Sequence, residues 1–150
     1  MSEAREGALA GAVAAVVWAA AGPLLRRSLS TPYSDVRFAG RLATTGRYWP
    51  IIGLGLHTAA GAVLGVLFVR AGVRGKAAAI AAAEVENAAM WPAMLVADRL
   101  HPDVRSGRWP KLFGNRRVFA QASLGHALFG IVVASVRRHR QRRAAGATSY

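Results

Sequence analysis

Two histidines, two glutamates and one asparagine stand where charge and polarity are scarce. Glu84, Glu86 and Asn87 lie inside one apolar run, while His57 and His126 lie inside two others. An acidic side chain deep in such a run is costly to hold, so it marks a function or a paired polar core. Counting at 1.5 Å per residue from the glycine-rich turn before it, Glu86 and Asn87 sit about 15 Å along their segment. His57 and His126 fall at comparable depth, seven and nine residues into their own runs. Glu84 and Glu86 project to opposite sides of a helix, whereas Glu84 and Asn87 share a side more nearly.

Several chemistries fit that cluster. A Glu whose proton affinity rises on burial, beside a His that titrates near neutrality, makes a proton relay or a small-cation site. The same nitrogens and oxygens would suit zinc, manganese or iron. Two histidines on facing helices would suit the axial positions of haem b. A Glu–His hydrogen-bonded staple that only fixes the bundle uses the same residues. We therefore expect no resident cofactor and keep haem or a divalent metal at His57 and His126 as the alternative. A second acidic set, Asp98, His101 and Asp103 with Asp35, could hold a metal or phosphate at the surface. A local salt bridge or a helix cap is the expected reading of that set.

The elements that position these residues are legible as four apolar windows, residues 7–25, 51–69, 77–97 and 118–136. Each is about 20 residues, the length that crosses a hydrocarbon core of about 30 Å. The first, second and fourth carry no Asp, Glu, Lys or Arg. Apolar residues run all the way round, which a soluble amphipathic helix would not show. The expected fold is an all-α bundle of four transmembrane helices, a single domain over residues 1–143 with a flexible tail at 144–150. A cleavable leader in the first window is disfavoured, because Glu3 and Glu6 outweigh Arg5 ahead of it.

The chain also repeats itself. Gly53, His57, Gly61 and Gly65 recur 69 residues on as Ala122, His126, Gly130 and Ala134. Pro23 and Arg47 recur as Pro92 and Arg116, and Asp35-Val36-Arg37 recurs, one residue out of step, as Asp103-Val104-Arg105. We read a tandem duplication of a helix–loop–helix unit, with halves at 7–70 and 76–139. The two His-bearing helices then run in the same direction, a parallel repeat. The small-xxx-small spacings, including Gly7 with Gly11, predict close helix packing within the chain or in a homodimer.

The net charge of +13 would suggest nucleic acid in a soluble protein. Here Arg26, Arg27, Arg47, Arg70, Arg116, Arg117, Arg137 and Arg138 crowd the ends of the windows, where lipid phosphates lie and long side chains snorkel. Lipid headgroups, not nucleic acid, are the expected partner. Lys and Arg are nearly balanced between the two faces, nine against eleven. The dense basic tail favours cytoplasmic N- and C-termini in a bacterial plasma membrane. Cysteine is absent, so no thiolate ligand or nucleophile exists. The run Leu56-His57-Thr58-Ala59-Ala60-Gly61 is similar to the histidine helix of rhomboid proteases, yet the Gly-x-Ser-Gly nucleophile that family needs is missing. No catalytic set is found, and a non-enzymatic role is the expectation. In layout the whole chain resembles small uncharacterised four-helix bacterial inner-membrane proteins, with no shared motif from which residues carry over. A structural protein whose basic tail docks lipid or an acidic partner is the remaining alternative.

Overall fold

The computed structural model describes the backbone of residues 2–147 and side chains through residue 143. Every regular element in it is helical: α1 (Glu3–Leu29), α2 (Asp35–Ala43), α3 (Trp49–Arg70), α4 (Lys76–Met90), a 3-10 turn (Trp91–Ala93), α5 (Met94–Leu100), α6 (Pro102–Arg105) and α7 (Arg116–Ala147). Three helices are long and apolar enough to cross a membrane, namely α1, α3 and the Arg116–Arg143 part of α7. Large apolar side chains such as Leu24, Ile51 and Val63 face outward on α1 and α3, as a lipid-facing surface requires.

The window at 77–97 does not form one continuous α-helix. Its α-helical part ends at Met90, and the chain passes through the 3-10 turn before α5 begins. Pro92 is the cause: its ring displaces the preceding turn and it has no N–H for the helical ladder.

Neighbouring helices pack in the order α3, α1, α7, α4, with α2 lying on α3. Glycine sets how close α1 and α3 come. A Cβ on Gly7 would sit 2.6 Å from the Gly65 carbonyl oxygen, and one on Gly11 would overlap the Gly61 carbonyl. Gly61 in turn faces Ala15 and the Gly11 backbone. The pairing of early residues of α1 with late residues of α3 makes the two antiparallel. On the other side, Gly130 of α7 abuts the backbone of Ala79 and Ile80 in α4. Gly53 receives α2 at Gly40 and Val36. These small-residue contacts join helices of the same chain. Ala122 is buried beside them and Ala134 packs on the core.

The core between the helices is alanine-rich, with Trp18, Phe68, Phe129 and Val133 as its large members. A second, smaller cluster of Tyr33, Ala97, Trp109, Leu112 and Val118 closes the end of the bundle where the two long loops meet. Buried polar bonds tie that end together. Thr31 donates its hydroxyl to Gln121, and Gln121 Nε2 donates to the Tyr33 carbonyl at 3.1 Å. Asp98 receives the backbone N–H groups of Leu112 and Phe113 at 2.6 and 3.1 Å. Ser34 caps α2, accepting the Arg37 N–H.

Asn115 caps α7, its Oδ1 accepting the N–H groups of Arg117 and Val118 at 3.1 and 3.3 Å. Asn115→Ala is expected to cost about 1 kcal/mol. A thermal melt in detergent should shift by a few degrees while helical content stays unchanged.

Candidate functional site

A cleft of about 390 Å³ opens over the α1–α7 groove, with α3 on one wall and α4 on the other. Those two outer helices share no substantial interface, so the cleft faces sideways between them. Its polar groups are His57, Glu86, Asn87, His126, Asp35 and Tyr33, and the rest of the lining is aliphatic, sulfur-bearing or aromatic.

Trp18 stands at the centre. Its ring makes edge contacts with both imidazoles, at 5.0 Å to His57 and 4.6 Å to His126. Gly125 makes the room, because a Cβ there would run into the indole. His126 is held by its own helix: Nδ1–H donates to the Ala122 carbonyl at 2.8 Å, one turn back. That bond assigns the tautomer and turns Nε2 toward α4, where Glu86 Oε2 lies 2.8 Å away. With the ring protonated at both nitrogens the contact is a short ion pair, and Oε2 makes no hydrogen bond among the described residues. The Glu86 side chain, part of the cleft lining, is 35% exposed against 13% for His126. His57 Nε2 is buried and unpartnered among the described residues. Asn87 is buried and donates to Ser123 Oγ at 3.1 Å, which joins α4 to α7.

Four of the five residues expected to cluster therefore line one cleft. Glu84 does not: it is half-buried on another side of α4 and outside the lining. Glu86, two residues on, takes the carboxylate's place. Sequence reasoning missed Trp18. Its spacing from Gly7, Gly11, Ala14 and Ala15 puts it on the α1 face that packs inward, which is the signal that marks it. Asp35, grouped with the surface acids by sequence, belongs to the cleft mouth, where Tyr33 Oη donates to it at 3.0 Å. Burial, and then the adjacent Asp35 carboxylate, push the Tyr33 phenol well above its ordinary value, so it stays a donor.

The other surface acids are fully used by the fold. Asp103 is completely buried and takes Arg37 Nε at 2.7 Å, Arg37 Nη2 at 3.1 Å and Arg108 Nε at 2.8 Å. The expected local salt bridge is present in Arg108, five residues on, and a second partner, Arg37, comes from 66 residues away. Burial alone would raise the Asp103 carboxyl, yet the two guanidiniums outweigh it and hold it below the ordinary range. His101 is sandwiched between Phe38 and Trp109, with ring planes within 5° and centroids 5.1 and 4.7 Å apart. Its Nδ1 accepts the Asp103 N–H, and Nε2 meets the Phe38 carbonyl at 3.3 Å. Burial lowers its proton affinity, and the neutral ring suits both bonds. No group of three or more His, Cys, Asp or Glu arranged to hold a metal occurs among the described residues.

Of the headgroup arginines, Arg137 bonds the Val73 carbonyl at 2.8 Å and Arg47 lies over the Tyr48 ring. Compared with protein-family models, curated proteins and solved structures, the chain finds no match.

Proposed function

We propose that this chain is a polytopic membrane protein, not an enzyme, that handles a proton or small cation in the α3–α4 cleft. The observation that carries the reading is the Glu86–His126 contact on the wall of a largely apolar cavity. A carboxylate there needs one compensating charge, because an unpaired buried ion costs several kcal/mol. A proton, the imidazolium of His126 or an incoming cation each supplies it, and each excludes the others. Exchange among those three partners couples proton release to cation binding. Asn87 fixes α4 against α7 so that the carboxylate and imidazole keep their spacing.

The cleft needs a fourth crossing, and the segment from Lys76 to Leu100 provides it. The α4 helix alone spans roughly 22 Å, and with the 3-10 turn and α5 it reaches the thickness of the hydrocarbon core. It lies antiparallel along α7, and Val85 and Met90 face outward on it. A tandem origin is supported by the matching contacts in the two halves. Gly61 meets the backbone of Gly11, and Gly130, its counterpart 69 residues on, meets Ala79 and Ile80, the counterparts of Ala10 and Gly11. With four crossings both termini share a side, and the basic tail docks them at an anionic cytoplasmic leaflet.

Glu86→Gln and His126→Ala are each expected to lower proton or alkali-cation flux in proteoliposomes at least tenfold, with insertion unchanged. Wild-type flux from both variants would end this reading.

A further inference from the structure

We infer that the cation taken by the cleft is organic: an amphipathic ammonium or phosphonium with an aromatic or alkyl body, arriving from the lipid phase between α3 and α4. This inference rests on the cation-handling reading above and names its substrate class.

Size comes first. A cavity of about 390 Å³ falls among small-molecule sites, which run from roughly 300 to 1,000 Å³. A water molecule's share of liquid is about 30 Å³, so a bare inorganic ion would leave most of the space to water. The walls do not suit that water. They are chiefly Ala, Leu, Met and aromatic side chains, which hydrate poorly.

Charge comes second. Glu86 and Asp35 both line the cavity, and no Lys or Arg does among the described residues, although the chain carries 20 of them. The titratable groups facing the space are Tyr33, Asp35, His57, Glu86 and His126. That set repels anions and favours a positive ligand.

The rings come third. Trp18, Phe38, Trp91 and Phe129 all line the cavity. Aromatic faces attract a desolvated organic cation by about 2 kcal/mol or more. Buried His57 Nε2, without a hydrogen-bond partner among the described residues, is a polar ring atom left for a ligand to satisfy. Met90 and Met94 stand on the α4 side, and their unbranched chains adapt to varied apolar bodies. The lateral gap between α3 and α4 gives such a molecule a path that avoids the loops.

The test is calorimetric titration of the full chain in detergent with tetraphenylphosphonium, beside neutral triphenylphosphine oxide and sodium chloride. The expected result is micromolar binding of the phosphonium, at least tenfold weaker binding of the neutral analogue, and displacement of the phosphonium as pH falls. Glu86→Gln should weaken phosphonium binding at least tenfold. Asp35→Asn, which leaves the Glu86–His126 contact in place, should weaken it severalfold and covers the case in which the Glu86 variant does not fold. Equal binding of the charged and neutral compounds, or none of either, overturns the organic-cation assignment. If the phosphonium does not bind while Glu86→Gln still lowers proton or sodium flux, the assignment fails and the broader reading stands. If the phosphonium binds in a Glu86-dependent way but no flux is found, the site stands and transport fails.

Discussion

Asp103→Ala is expected to lower the melting temperature in detergent by roughly 10 °C, from a loss of about 3 kcal/mol. The carboxylate is fully buried and takes three charge-assisted hydrogen bonds from Arg37 and Arg108. Removing it breaks the only link that joins α2 to α6 by paired charge among the described residues. The loss stays near the low end of the range for broken buried pairs, because Arg37 and Arg108 are 34% and 52% exposed and rehydrate. The pH dependence has a fixed sign. Asp103 has its carboxyl held below the ordinary value, so its contribution is complete above about pH 4 and is lost as pH falls through the depressed range. His101 is also held below its ordinary value, and its contribution is lost from about pH 6.5 downward. Acid should therefore loosen the loop end of the bundle in two stages, His101 first. A single acid transition confined to pH below 4 would remove His101 from this account.

Gly11→Ala should be more damaging than any alanine substitution on the lipid face. The added methyl meets the Gly61 carbonyl and the Gly65 Cα, which are backbone and cannot rotate away. Helices α1 and α3 must separate, at a cost above about 3 kcal/mol, the upper end for overpacking. The expected readout is loss of the monodisperse species in detergent, with helical content retained. Gly55→Ala is the matched control. Nothing lies within 4 Å of its Cβ position, and alanine gains up to about 1 kcal/mol in helix propensity. If both variants behave alike, the close α1–α3 contact is wrong.

Helix positions were legible because the apolar windows are long and their ends carry charge, proline or glycine. Ser34 ahead of Asp35 is a capping signature readable from residue type alone, and α2 starts there. The break at Trp91–Ala93 falls at Pro92, a position visible in the sequence. A proline inside an apolar run tells where a helix is disturbed, while the packing of neighbours decides whether it bends or stops. The cleft was half legible. Spacing placed His57, His126, Glu86 and Asn87 at one depth, but depth does not give rotation about the helix axis. That is why Glu84 had to be kept beside Glu86. Periodicity puts Trp18 on the inward face of α1 but does not bring it to the cleft, and it says nothing of Asp35, since each meets the cleft from an element whose neighbours are fixed only by tertiary contacts. The Arg37–Asp103 pair was hidden for the same reason. Its partners come from the two copies of one tripeptide, and a local reading pairs each copy with itself.

The central claim is that Glu86 presents an exchangeable charge to a cleft reached from the lipid. Labelling of native membranes with a hydrophobic carbodiimide, which attacks protonated carboxyls from the apolar phase, addresses it most directly. Peptide mapping should place the adduct on Glu86, with the adduct lost in Glu86→Gln and slowed by tetraphenylphosphonium. Labelling confined to Asp98, Glu3 or Glu6, with Glu86 unmodified, would contradict the account.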